Sequence, residues 1–131
     1  MSIEISNPPA LHDPVPFGYS HVAVTQGELV FVAGQYDSDA AGATTTDDFA
    51  GQVERAFANL GIALRSVGLD FADTAQLRTH IVDHGPEKLA VVGAKIAEIW
   101  GDRPPVQTLV GVAALALPAM LFEVDAVAVR P

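Results

Sequence analysis

The sequence contains no cysteine. Without thiols there is no disulfide framework, no thiolate nucleophile and no cysteine-ligated metal. That absence is compatible with a reducing compartment, and a cytoplasmic location is expected. Positive charge is scarce as well. Seven Lys and Arg face sixteen Asp and Glu, for a net charge of −9. Nucleic acid and anionic membrane surfaces call for a basic face, so neither is an expected partner. The same acidic field repels anionic ligands wherever no local cation offsets it. Long apolar runs are missing too. The strongest, residues 109–122, is interrupted by Gly111 and Pro118, short of the ~18 apolar residues that mark a spanning helix. Residues 1–16 are polar and rich in proline, without the basic start and apolar run of a secretion signal.

What remains is a chain of 131 residues, half of them hydrophobic, which is one domain's worth. No repeat or long linker divides it, so residues 1–131 read as a single domain. Residues 37–48 cluster Ala, Gly, Thr and Asp and read as a loose surface loop. Residues 19–25 predict a first strand and residues 29–33 a second, joined in a hairpin through Gln26, Gly27 and Glu28. Phe49, Val53, Phe57, Leu60 and Leu64 recur at helical spacing. They predict a helix running to about Val67, capped by Thr46 or Asp47 and ended by Gly68. Residues 75–82 predict a third strand. Pro86 suits the first turn of a second helix, with Leu89, Val92, Ile96 and Ile99 as its apolar stripe. Residues 106–114 and 121–129 predict two last strands, paired as a hairpin turning near Leu117 and Pro118.

The class is therefore α+β, with two helices packed on one face of a sheet. The last strands are apolar at both parities. Val106, Thr108, Val110 and Val112 face one way; Gln107, Leu109, Gly111 and Ala113 face the other. A sheet that is apolar on both faces needs both covered, and no further element is left to cover the second. Another copy of the chain is the expected cover.

Chemistry-bearing residues are few. His12, His21, His80 and His84 form no helical i, i+4 pair, and no metal site is expected. His80 reads as a partly buried polar residue. No cofactor motif or nucleophile elbow is present. Trp100 ends an apolar helical stripe and reads as core or interface. Glu123 and Asp125 stand two apart in a strand whose other residues are apolar. Carboxylates there are costly unless satisfied. Two readings stay open: ion pairing or backbone hydrogen bonding at a strand edge, and a general acid or base in a cleft.

Several segments, in order and at matching spacing, resemble the Rid (YjgF) family of enamine/imine deaminases, also called L-PSP endoribonucleases. Gly18-Tyr19-Ser20 is similar to the family's GPYS segment, and Phe31 to Gln35 (FVAGQ) to its strand-ending turn. Gln52 to Leu60 (QVERAFANL) resembles its first helix. Asp83 closes the third strand as the family's aspartate does, and Leu117-Pro118 with Glu123 to Ala128 resembles the LP…EIEAIA ending. The resemblance implies a chorismate-mutase-like fold and a homotrimer with small-molecule clefts between subunits. It implies hydrolysis of enamines and imines to 2-oxo acids and ammonia. Carried over by position, Glu123 is the water-activating glutamate and Tyr19 the cleft tyrosine. The family's substrate-gripping arginine does not carry over: Gln107 stands in its place, followed two residues on by Leu109. A guanidinium holds a carboxylate through paired, charge-assisted bonds that a neutral amide cannot supply. Arg78, on the third strand, either substitutes for that arginine or pairs with Glu123 or Asp125. The expected function is C–N bond hydrolysis on a small ligand, with activity on 2-aminoacrylate weak or absent. The alternatives are a ligand-binding module without turnover and, against the acidic charge, an endoribonuclease.

Overall fold

In the computed structural model, which describes residues 2–131, six strands and two helices follow the order β1 (Ile3–Ser6), β2 (Val22–Thr25), β3 (Glu28–Gln35), α1 (Phe49–Ser66), β4 (Thr74–Val82), α2 (Pro86–Trp100), β5 (Val106–Val112) and β6 (Phe122–Arg130). The main sheet has the order β3-β6-β4-β5. β6 runs antiparallel to both neighbours and β4 runs parallel to β5. The α+β class and the placement of both helices on one face agree with the sequence reading.

Both expected hairpins are absent. β2 pairs with β1, a strand the sequence reading left unassigned, and not with β3. β5 and β6 are not neighbours, because β4 lies between them. The physical reason is α2, which carries the chain over the sheet from β4 to β5. A parallel pair needs such a crossover. The loop after β5 then spans β4 to deliver β6 into the centre.

The core forms where the apolar stripes of α1 and α2 meet the sheet. Val53, Phe57, Leu60 and Leu64 of α1 and Val92 and Ile96 of α2 pack on Leu77, Ile81, Phe122, Val124, Ala126 and Ala128. A smaller cluster of Ile3, Ala75 and Val129 fixes the β1–β2 ribbon to the sheet. The N-cap of α1 is Asp48, whose carboxylate accepts from Gly51 N–H at 2.8 Å; Thr46 instead accepts from Asp48 N–H.

Residues 37–48 are not loose. The fully buried Asp37 carboxylate accepts from Thr45 N–H, Thr45 Oγ1–H and Thr46 N–H at 2.6–3.0 Å. Asn59 of α1 donates to Tyr36 O at 2.8 Å. Buried Gln52, two helical turns earlier, donates to Thr46 O and Ala119 O and accepts from Leu121 N–H. The Gln52 and Asn59 amides thus tie two connections to one helix. The loop composition gave no hint of this, because the ties join residues eight and nine apart within the loop or come from α1 outside it.

Candidate functional site

The site is built at the β5 edge of the sheet. Ser20 locks the N-terminal segment there: its N–H donates to Pro105 O and its hydroxyl to Pro104 O at 2.6 Å. Gly18, just before it, has φ +87°, a left-handed conformation that favours glycine. The turn sets Tyr19 beside β5. Between this segment, β5 and α2 lies an open-sided cavity of about 680 Å³, lined by His12, Phe17, Tyr19, Leu89, Gln107, Thr108 and Leu109. Three of the residues singled out from sequence, Tyr19, Gln107 and Leu109, therefore meet in one place.

Gln107 does not project freely into this space. Its Nε2 donates to Gly18 O at 3.1 Å, and its Oε1 accepts from the fully buried Thr79 hydroxyl at 2.9 Å. One N–H of the amide is left over. Among the described residues, no Lys or Arg lines the cavity.

Glu123 and Arg78 lie elsewhere. Cross-strand partners share a face, and the register pairs His80 with both Glu123 and Val110, and Arg78 with both Asp125 and Thr108. These residues occupy the face without helices. Gln107, by contrast, bonds to Thr79 on the helix-covered face. Gln107 and Glu123 are thus on opposite faces of one sheet. Arg78 Nε donates to Asp125 Oδ1 at 2.9 Å. That hydrogen bond, and then the carboxylate charge, hold the guanidinium pKa above its ordinary value. Arg103 borders a different hollow, beside Ile3, Ile5 and Trp100.

The Glu123 carboxylate lies over the backbone of Gly34. A Cβ there would stand 2.5 Å from Glu123 Cδ. Next to it, His80 Nδ1 is buried without a hydrogen-bond partner among the described residues. The helix-free face also carries Phe31, 74% exposed, Leu29, 49% exposed, and Val110, 40% exposed.

The sequence reading missed His12. Its Nε2 lies 2.6 Å from the Tyr19 hydroxyl, and its ring meets those of Phe17, Tyr19 and His21 edge-on. His21 Nε2 bonds to His12 O at 2.8 Å. The signal available was two histidines flanking the Gly18-Tyr19 turn, which by itself does not show that they converge. Among the described residues, no group of His, Cys, Asp and Glu is arranged to hold a metal, and no helix is long and apolar enough to cross a membrane.

A family model described as Endoribonuclease L-PSP matches residues 12–130. The chain belongs to the YjgF/Rid/L-PSP family. Among solved structures, the Rid protein YyfB from Yersinia pestis is 37% identical over 99% of this chain and all of that one, with a TM-score of 0.94. A member of the YjgF/YER057c/UK114 family from Mycobacterium tuberculosis is 29% identical over 98% of this chain and all of that one, with a TM-score of 0.68. TdcF of E. coli, solved with bound serine, is 24% identical over 82% of this chain and 85% of that one, TM-score 0.68, a likeness of fold alone. No curated protein matches the chain. Membership of the Rid family agrees with the resemblance read from the motifs, as does the fold.

Proposed function

We propose that this Rid-family protein is a homotrimer with small-molecule clefts between subunits, and that it hydrolyses a C–N bond of imine or enamine type. The observation that carries the reading is the placement of Gln107 and Glu123 on opposite faces of one sheet. A single chain cannot present both to one ligand. Two copies can, if the Tyr19–Gln107–Leu109 cavity of one is set against the Glu123 face of the next. That face has the character of an unfilled interface: exposed Phe31, Leu29 and Val110 around an unpaired buried ring nitrogen. Large exposed apolar patches mark such contacts.

In the reaction, water adds to the C=N carbon while the nitrogen takes a proton. The C–N bond then breaks, leaving a carbonyl compound and an amine or ammonia. Glu123 orients the water and accepts its proton. Its carboxylate is seated on Gly34, where no side chain can displace it. Tyr19 and Leu109 shape the cavity, and the spare Gln107 N–H is available to a ligand oxygen. Arg78, neutralised by Asp125, is not expected to grip a carboxylate. Activity on 2-aminoacrylate is accordingly weak or absent.

Mixed oligomers test this. Leu109→Trp, which fills the cavity, and Glu123→Ala chains are each assayed on imines generated from a panel of amines by a coupled amine oxidase, then co-expressed. Each variant alone is inactive, and the mixture regains part of the activity, because some clefts draw both intact residues from different chains. Sedimentation gives three times 13.7 kDa. A monomer, or a mixture no more active than its parents, refutes the intersubunit site.

A further inference from the structure

The polar lining that one chain gives the cavity is small and, among the described residues, holds no Lys, Arg, Asp or Glu: Tyr19, His12, Gln107 and, at the strand edge, Thr108. The rest is Phe17, Leu89 and Leu109. We infer that the ligand of this cavity is a nitrogen compound without a carboxylate, with an aromatic or branched apolar body, and that its N–H group is received by the hydrogen-bonded pair of Tyr19 and His12. The inference rests on the proposed cleft and narrows what enters it.

Three observations lead there. First, no unpaired Lys or Arg faces the cavity among the described residues. Gln107 occupies the inner wall, and its amide is neutral, bonded to Gly18 O and the Thr79 hydroxyl with one N–H left over. Arg78, on the face that the proposed cleft sets against this cavity, is held by Asp125. A carboxylate moved from water into this lining would lose hydration without a counter-charge, which costs several kcal/mol in effective terms. The field of a chain with net charge −9 works in the same direction.

Second, the walls suit a flat or branched apolar body. The His12 ring meets those of Phe17 and Tyr19 edge-on, with centroids 5.8 and 6.0 Å away, leaving ring faces and edges to pack on. Leu89 and Leu109 close the other walls.

Third, the one strongly placed polar element is the 2.6 Å contact between Tyr19 and His12. With His12 in the tautomer that leaves Nε2 bare, the Tyr19 hydroxyl donates to it. The phenol oxygen then keeps its lone pairs for an incoming N–H. His21 fixes the segment through its bond to His12 O, so the pair is held from both sides. An N–H donor on the ligand completes this arrangement without any charge.

Two isosteric probes that differ by one charge decide it: benzamide and benzoate, titrated at pH 7.5 into the intact oligomer by calorimetry and by NMR of the protein's ring resonances. Benzamide binds, shifting the Tyr19 and His12 ring resonances, and benzoate binds at least about tenfold more weakly, as an unpaired anion in an apolar site requires. Tyr19→Phe, which removes one oxygen, and His12→Ala weaken benzamide by about fivefold or more, within the range for a lost hydrogen bond. Toluene, which has no N–H, is indifferent to Tyr19→Phe. Benzoate binding as tightly as benzamide overturns the inference, as does the absence of binding by both. Benzamide affinity unchanged in Tyr19→Phe overturns it too. Failure of the proposed function reads differently: a monomeric mass or non-complementing variants would leave benzamide still held by Tyr19 and His12.

Discussion

Replacing Gln107 by Leu tests whether its amide belongs to the framework or to the ligand. Leucine is one atom shorter but close in volume, so the cavity term is small. What is lost is the donor to Gly18 O and the acceptor for Thr79 Oγ1–H. Thr79 is fully buried, and a buried donor stranded without a partner costs ~1–3 kcal/mol. Gly18 O sits at the cavity wall, where water can replace the amide, so its loss costs the net value of one bond, ~0.5–1.5 kcal/mol. The variant should therefore be less stable by ~1.5–4.5 kcal/mol. Thr79→Val alone leaves Gln107 Oε1 near water and should cost ~1 kcal/mol. In Thr79→Val with Gln107→Leu the stranded hydroxyl is gone, so the double variant should be more stable than the sum of the singles by ~1 kcal/mol or more. Urea unfolding of all four proteins at one protomer concentration gives these numbers, the fixed concentration being needed for an oligomer. If Gln107→Leu costs less than ~0.5 kcal/mol, or the cycle shows no coupling, the amide is not committed and the argument against an anionic ligand loses its main support.

Four further outcomes follow from the same geometry. Gly34→Ala places a methyl 2.5 Å from Glu123 Cδ. The carboxylate is the mobile end of a side chain and can swing away, so stability should change by less than ~1 kcal/mol while imine hydrolysis falls as far as in Glu123→Gln. An equal loss of both in thermal melts and turnover assays would contradict this. Phe31→Glu puts a charge in the middle of the helix-free face, where the native ring is 74% exposed in one chain; sedimentation should show a shift to monomer with helix content retained. Asp37→Ala strands two backbone N–H groups and a hydroxyl. It should cost ~2–3 kcal/mol, given the strength of bonds to a charged acceptor, and speed amide exchange across residues 37–48 first. Arg78→Ala removes an exposed guanidinium from a largely buried Asp125 carboxylate; urea unfolding should register the loss, while binding of benzamide survives it.

Much of the architecture was legible because periodicity is local. The α1 stripe from Phe49 to Leu64 and the α2 stripe from Leu89 to Ile99 are written at spacings of three and four, and both helices formed where those stripes run. Strand pairing was less legible because it depends on partners distant in sequence. Gln26-Gly27 looks like a hairpin turn, yet β2 takes Ile3–Ser6 as its partner, a four-residue strand too short to stand out. Likewise the bend at Leu117-Pro118 joins β5 and β6 without pairing them, since β4 separates the two. Asp37 and Gln52 carry no sequence mark of the loops they fasten.

The same error of pairing bears on the site. A β5–β6 hairpin would have put Gln107 and Glu123 on two paired strands of one chain, and left open that their chemistry is a property of one subunit. With β4 between them, β5 offers Gln107 to the helix side, while β6 offers Glu123 to the bare side, above Gly34 and beside His80. Alternation along a strand makes this separation rigid: only a one-residue slip of register would bring the two residues to one face, and it would turn Phe122, Val124 and Ala126 out of the core. The core therefore enforces the split. In the proposed assembly a ligand that touches both residues lies between two copies of the chain, so the apolar patch proposed to drive assembly and the carboxylate proposed for catalysis must share one face of the sheet.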